Sequence, residues 1–189
     1  MTNEIQTIAV IGAGAHGREI ACAALLAGYR TILEDVSEGR LERAVAWLSD
    51  TTKAGGEARS RLVLARTVEE ALREADLIIE AVADEMEMKL EMFTIFDKFA
   101  RPRAIFVSTS PTIPIADLAD ITFCPERCIG MRFASDARNG SGVELVCAPQ
   151  TSEETIARCR QVAQRMGKDV AVTTAMDLGR QDAGVTRAK

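Results

Sequence analysis

The sequence has little of what several classes of protein require. Only one of its 189 residues is histidine, aromatic residues make up 4%, and the five cysteines, an odd number, form no C-x-x-C pair. No metal site is expected, because a zinc site needs clustered Cys and His ligands. The first six residues are polar and contain no basic segment typical of a signal peptide. We therefore expect reduced thiols and a cytoplasmic location.

Positive charge and long apolar segments are also scarce. The 23 Lys and Arg residues are outnumbered by 28 Asp and Glu residues, which gives a net charge of −5. This balance disfavours nucleic acid or an anionic membrane as the main partner. The longest apolar run, residues 20–29, is too short to span a bilayer. A chain of this length can bury a core without disulfides or metals.

The most informative stretch is residues 10–17, Val-Ile-Gly-Ala-Gly-Ala-His-Gly. Its glycines form G-x-G-x-x-G between an apolar, strand-like run and a helix-like run. In a dinucleotide site, Gly12 permits a sharp turn, Gly14 leaves room for the pyrophosphate, and Gly17 lets the helix pack on the strand. Asp35 follows Gly14 by 21 residues, where such folds place the acid that binds a ribose 2′-hydroxyl. A chance glycine-rich turn is the alternative, but the strand that ends at Asp35 favours a dinucleotide site.

Strands and helices alternate along the rest of the chain. The uninterrupted apolar run at residues 77–79 is typical of a strand that is buried on both faces, as in parallel sheets. The alternation predicts an α/β fold of the Rossmann type, a doubly wound and mainly parallel sheet with helices on both faces. We expect one domain over residues 1–176 and a polar tail at 177–189.

Local signals predict several details of these elements. Residues 52–61 are polar and are expected to form an exposed connection. Two capping boxes are predicted, Thr67 with Glu70 and Thr151 with Glu154. Helical spacing predicts that one helix buries four apolar side chains. These are Met86, Leu90, Phe93 and Phe96.

Taken together, the motifs resemble those of the NAD-binding domain of the 3-hydroxyacyl-CoA dehydrogenase family, over residues 8 to about 172. Besides the glycine-rich stretch and Asp35, the similar segments are residues 75–82, Lys89, Phe93, 125–127, 130–131, 143–144, 151–155 and 167–168. The resemblance implies an NAD-dependent oxidoreductase of fatty acid metabolism that acts on an acyl-CoA-like molecule.

The resemblance also implies a cofactor site. It assigns the glycine-rich loop to the pyrophosphate, Asp35 to the adenine ribose, and Lys89 to the approach of the nicotinamide half. A solvated helix lysine is the alternative for Lys89. The implied cofactor residues are Gly12, Ala13, Gly14, Ala15, His16, Gly17, Asp35, Ala81, Val82, Lys89 and Ser108.

The chain departs from the family at the catalytic positions. The family uses a histidine base with a glutamate twelve residues later; here Glu144 is kept, but Arg132 stands at the histidine position. A guanidinium cannot accept a proton. We therefore expect Arg132 to contact Glu144 from a neighbouring strand, or to hold an anionic ligand.

Further departures concern the substrate side of the site. Pro111 replaces a serine, and Ser135 and Asp136 replace an asparagine and a proline. The helical insertion expected after the second helix looks shortened, and the family's helical C-terminal domain is expected to be absent. Any oligomer would then use this domain's own surface or a separate partner chain.

His16 is the only histidine and lies inside the glycine-rich loop. A general base must reach the proton that it removes, which this end of the site does not obviously allow. We therefore expect His16 to touch phosphate or solvent. Three hypotheses are open: an NAD-dependent oxidoreductase with altered or weak activity, a non-catalytic NAD-binding sensor or subunit, and a half-enzyme that needs a separate helical domain.

Overall fold

The computed structural model describes residues 4–51, 56–134 and 142–174, which form a single eight-stranded sheet. The strands are β1 Thr7–Ile11, β2 Arg30–Glu34, β3 Leu62–Leu64, β4 Leu77–Glu80, β5 Ile105–Ser108, β6 Cys128–Phe133, β7 Gly142–Cys147 and β8 Asp169–Thr173. The helices are α1 Ala15–Leu26, α2 Glu38–Thr51, α3 Gly56–Ser60, α4 Val68–Leu72, α5 Met86–Phe99, α6 Ile115–Ala119 and α7 Glu153–Arg165, with a 3₁₀ turn at Pro125–Arg127.

The spatial order of the strands is β3-β2-β1-β4-β5-β6-β7-β8. Each neighbouring pair is parallel except β6 and β7. All residues of β1 and β4 are buried, since helices cover both faces. One core lies beneath α1, α2 and α7, and a second lies beneath α4, α5 and α6. The predicted doubly wound, mainly parallel fold is confirmed.

The connection expected at residues 52–61 is partly wrong. Residues 56–60 form helix α3, in which Ala58 is buried against the first core. Residues 52–55 lie outside the described part of the chain. Helix α6 was not predicted; it follows Pro114, and its Ile115 and Leu118 are buried in the second core.

Two local predictions were also wrong, and others held. Thr67 caps α4 by accepting from the Glu70 N–H, as predicted. The cap of α7 is Ser152 rather than Thr151, because the Thr151 hydroxyl instead donates to the Cys128 carbonyl. On α5, Phe93 and Phe96 are buried and Leu90 is half-buried, but Met86 is exposed. The predicted tail, residues 177–189, lies outside the described residues.

No helix among the described residues is long and apolar enough to cross a membrane.

Candidate functional site

The glycine-rich loop connects β1 to α1 and needs two of its glycines for packing. Gly12 has φ of +107°, and a Cβ there would lie 2.6 Å from the Ala81 carbonyl oxygen. A Cβ at Gly17 would lie 1.8 Å from the Gly12 carbonyl oxygen. At Gly14 a Cβ would meet nothing within 4 Å, so this glycine borders open space. The loop thus combines a tight turn with an open face, as the motif predicts.

The open face lies at the N-terminus of α1. Gly14 is the N-cap and provides no side-chain hydrogen bond, and the first turn contains no acidic residue. The first N–H groups of the helix therefore have no acceptor within it. Together with the positive end of the helix dipole, they favour an anionic ligand.

Asp35 directly follows β2 and braces this loop. Its Oδ2 accepts from the Ala13 N–H at 2.9 Å, and its Oδ1 accepts from the Ser37 N–H at 2.8 Å. The Arg40 guanidinium lies 3.5 Å from Oδ2. Asp35 is therefore buried and fixed by backbone donors, with its carboxylate beside the start of α1. Its contact with a ribose stays a prediction.

A cleft of about 660 Å³ opens between the loop, the end of β2 and the turn after β4. Seven of the eleven predicted cofactor residues line it: Gly12, Gly14, Ala15, His16, Asp35, Ala81 and Val82. Ala13 and Gly17 are buried behind the loop, and Lys89 and Ser108 do not line the cleft. Its remaining walls are Ile11, Glu34, Val36, Arg40, Val68, Ala83, Met88, Glu91 and Met92.

Lys89 and Ser108 meet in a buried cluster around Glu80. The Lys89 Nζ lies 2.7 Å from both carboxylate oxygens of Glu80, and the Ser108 hydroxyl donates to Glu80 Oε2 at 3.0 Å. Glu80 Oε1 also accepts from the Val82 N–H at 2.8 Å. Lys89 is only 1% exposed, so the solvated alternative is wrong. The cluster holds the turn at Val82, which borders the cleft.

Glu80 is not among the site residues predicted from the sequence, although its carboxylate is the acceptor at the centre of this cluster. The signal was present: Glu80 follows three apolar residues on a strand that was expected to be buried. A buried carboxylate needs a partner, and a lysine nine residues later on the next helix provides one.

Arg132 and Glu144 face each other across the antiparallel pair of β6 and β7. The Arg132 Nη1 lies 3.6 Å from Glu144 Oε2, which confirms the predicted contact. The Arg132 Nε donates to the Ser110 carbonyl at 3.2 Å, and Glu144 Oε1 accepts from the Thr173 hydroxyl. Both side chains are about one-third exposed, so their attraction is screened by water.

Pro111 lies in the turn after β5, next to the Ser110 carbonyl that Arg132 contacts. The substitutions at Ser135 and Asp136 lie outside the described residues.

The sequence was compared with models of known protein families. A family model described as the NAD binding domain of 3-hydroxyacyl-CoA dehydrogenase matches residues 7–176. The chain belongs to this family. NAD is therefore the cofactor of the domain, as predicted.

Relatives of the family extend beyond the matched domain. A probable 3-hydroxybutyryl-CoA dehydrogenase of Bacillus subtilis is 35% identical over 176 residues, which cover 87% of this chain and 61% of the relative. A 3-hydroxybutyryl-CoA dehydrogenase of Bradyrhizobium diazoefficiens is 33% identical, with coverage of 92% and 62%. The structure of (S)-3-hydroxybutyryl-CoA dehydrogenase from Ralstonia eutropha superposes with a TM-score of 0.84 at 25% identity, covering 90% of this chain and 64% of that one. The chain spans about six-tenths of the length of these relatives.

The cleft of this 3-hydroxyacyl-CoA dehydrogenase family member fits the dinucleotide. The open space at Gly14 and the uncapped start of α1 suit a pyrophosphate. The apolar walls at Val68 and Met92 suit the faces of a purine base.

His16 lies at the glycine-rich loop end of this cleft. Its ring makes an edge contact with Phe133 at a centroid distance of 5.7 Å. Alternation along β6 places the Arg132 side chain on the opposite face of the strand from Phe133, the residue that His16 contacts. Desolvation lowers the pKa of His16, with Lys89 acting in the same direction and Glu19 and Glu80 opposing it. The imidazole is therefore mainly neutral at pH 7.

Proposed function

We propose that this domain binds NAD(H) in the cleft and acts as an oxidoreductase of the 3-hydroxyacyl-CoA dehydrogenase type whose activity is weak or altered. The observation that carries the proposal is the Arg132–Glu144 contact at 3.6 Å. The resemblance assigns a histidine–glutamate pair to these two positions. An arginine there keeps a positive charge but removes the group that would take the hydroxyl proton.

The proposed chemistry divides between the cofactor and the chain. NAD, when bound, accepts or supplies a hydride. The chain's residues hold the dinucleotide at the start of α1, and the Arg132 guanidinium offers hydrogen bonds to a substrate oxygen or carboxylate. Loss of a general base costs about 10²–10⁴ in rate, or roughly 3–5 kcal/mol. Glu144 is the one carboxylate in contact with Arg132 among the described residues.

Turnover tests the proposed activity. Following NADH absorbance with acetoacetyl-CoA, we expect the wild type to fall below about 1 s⁻¹, the lower end of ordinary enzymes. Arg132→His should raise the rate only modestly, because Pro111 leaves the substrate side without a serine hydroxyl. Arg103→His, an exposed arginine outside the site, is the matched control and should change nothing. Wild-type turnover within about 1–10³ s⁻¹ would show that another residue moves the proton.

Cofactor preference tests the proposed site. Asp35 would accept from the ribose hydroxyls and repel a 2′-phosphate, so NADH should bind more tightly than NADPH. Arg40 does not reverse this expectation, because its guanidinium already contacts Asp35. Calorimetric dissociation constants decide the question: equal or tighter binding of NADPH would contradict the assignment of Asp35.

A non-catalytic NAD-binding role is the second candidate, and the replacement of the expected base by Arg132 favours it. In that case NADH binds, but neither the wild type nor Arg132→His oxidises it with acetoacetyl-CoA. A half-enzyme completed by a partner chain would gain turnover when that chain is added. Light scattering would show whether the domain associates with itself.

A further inference from the structure

Glu34, the last residue of β2, carries an ionisable side chain that is buried. Alternation along the strand places it on the same face as Ile32, away from Leu33 and Asp35. It pairs in register with Ile11 of β1 and is only 3% exposed. It nevertheless lines the cofactor cleft, on the wall formed by Val68 and Met92. The structure thus places a carboxyl group deep in an otherwise apolar part of the cleft.

No side-chain hydrogen bond or ion pair involves the carboxyl group of Glu34 within the part of the chain that the structure describes. The neighbouring charges are mostly of the same sign: Asp35 on the adjacent residue, Glu69 on α4, and Glu91 on the α5 side of the cleft. The one cation in the lining, Arg40, contacts Asp35 instead. Burial, followed by Asp35 and Glu69, raises the pKa of Glu34 to about 7. The group is therefore present as a neutral acid in a large fraction of molecules at neutral pH.

The carboxyl oxygens of Glu34 face the cleft and are not sealed from it, so a ligand that displaces water from them must supply hydrogen bonds in return. A neutral carboxyl group has one donor and one acceptor side by side. Adenine offers the complementary pair, an exocyclic amino group next to a ring nitrogen. Apolar walls above and below such a carboxyl group would enclose the base and leave only its polar edge to be matched.

We propose that Glu34 recognises the adenine base of NAD, as a neutral carboxyl group that donates to a ring nitrogen and accepts from the exocyclic amino group. This inference rests on the proposed use of the cleft for NAD. Asp35 and Glu34 then divide the adenosine between them, the ribose on one face of β2 and the base on the other. The ionised form of Glu34 has no donor for the ring nitrogen, so cofactor affinity falls as Glu34 loses its proton.

Calorimetry with NAD⁺ at pH 6 and pH 8 tests the proposal. If only the neutral form binds, the dissociation constant of the wild type rises about tenfold between the two pH values. ADP-ribose, which lacks the nicotinamide, should show the same rise, because the titrating group lies at the adenosine end. This arm separates Glu34 from groups at the nicotinamide end of the cofactor, and the Glu34→Gln variant separates it from His16.

Three variants complete the experiment, each checked for folding by circular dichroism. Glu34→Gln keeps one donor and one acceptor without a titrating proton, so its affinity should match that of the wild type at pH 6 and stay the same at pH 8. Glu34→Leu should bind weakly at both pH values. Glu87→Gln is the matched control, since it removes an exposed carboxylate of α5 that does not line the cleft, and it should keep the tenfold pH dependence.

The outcomes separate this inference from the function on which it rests. Wild-type affinity that is equal at pH 6 and 8, or pH dependence that persists in Glu34→Gln, overturns the role of Glu34 while NAD binding stands. If NAD⁺ and ADP-ribose bind at neither pH, both the role of Glu34 and the proposed NAD site are overturned.

Discussion

Lys89 shows how a single side chain can support a site that it does not line. Its ammonium group is buried against Glu80, which in turn accepts from the Val82 N–H beside the cleft. A buried ion pair adds little net stability by itself, because both charges lose their hydration. Replacing only one member of the pair is costly, however, because the other charge stays buried without an opposite charge beside it.

Lys89→Met should therefore destabilise the domain by about 3–5 kcal/mol, because Glu80 would be left as an uncompensated buried carboxylate. NAD affinity should fall as well, since the turn at Val82 loses its anchor. Lys98→Met, at an exposed lysine of the same helix, is the control and should change stability by less than about 0.5 kcal/mol. Urea unfolding measures both, and a loss below about 1 kcal/mol for Lys89→Met would show that Glu80 finds another partner.

Glu34 leads to a prediction about stability that does not involve a ligand. Its pKa is raised to about 7 from an ordinary value of 4.5, so the folded state holds a proton that the unfolded state releases between these values. The contribution of Glu34 to stability is thus complete below pH 4.5 and is lost as the pH rises to 7. Over this range the wild type should lose about 3 kcal/mol relative to Glu34→Gln. Urea titrations at several pH values check this, and parallel pH profiles of the two proteins would contradict it.

Among single residues, the sequence predicted most accurately those positions at which only one type of residue fits. Gly12 and Gly17 were predicted correctly, because their positions exclude a side chain for steric reasons that the motif encodes. For Lys89 the sequence allowed either a role in the cofactor site or an exposed position on a helix, because it does not show which face of the helix meets a buried acid. Glu34 was not singled out at all, because its burial depends on the packing of α4 and α5.

Among the secondary-structure elements, the loop between β1 and α1 offers a matched pair of glycine variants. Gly17→Ala should lose about 3 kcal/mol of stability, since its Cβ would lie 1.8 Å from the Gly12 carbonyl oxygen. Gly14→Ala should stay within about 1 kcal/mol of the wild type, because its φ of −65° suits alanine and the space around it is open.

Gly14→Ala should keep its stability but bind NAD more weakly. In Gly14→Ala the new methyl group occupies the space where the pyrophosphate is expected, so NAD affinity should fall at least about tenfold while the fold is kept, a change of about 1.4 kcal/mol in binding. Calorimetry measures the affinity, and thermal unfolding measures the fold. Unchanged binding by Gly14→Ala would move the pyrophosphate away from this loop.

Short elements were the ones that the sequence predicted least well. Helices α3 and α6 have five residues each, too few for an apolar period to be recognised. They are stabilised by contacts with the two cores rather than by local propensity. At α7, Thr151 with Glu154 fits the capping-box pattern, but Ser152 is the cap, because the Thr151 hydroxyl donates to the Cys128 carbonyl on a strand distant in sequence.

For the whole molecule, the five cysteines report on global unfolding. All five lie within the described residues, and all are free and buried on both sides of the sheet. Burial raises the pKa of the Cys22, Cys147 and Cys159 thiols, which lowers the fraction of reactive thiolate further.

A thiol reagent such as dithionitrobenzoate should therefore label the native domain very slowly and label five thiols per chain in denaturant. Bound NAD⁺ should slow native-state labelling again, because it stabilises the folded form. Fast labelling of one thiol in the native protein would contradict the packing of that cysteine.

The position of β1 in the sheet has a consequence for how the chain acquires its structure during synthesis. β1 is made before the other seven strands of the sheet but lies between β2 and β4, and its partner Leu77 in β4 follows Ile8 by about 70 residues. At about 5–20 residues per second, a ribosome needs several seconds to produce that partner. Until then β1 presents an unpaired apolar edge, and Gly12 has no Ala81 carbonyl to pack against. The first strand and the glycine-rich turn that define the cofactor site thus stay without their β4 neighbours for several seconds of synthesis, and over that time they need shielding by a chaperone or by the ribosome surface.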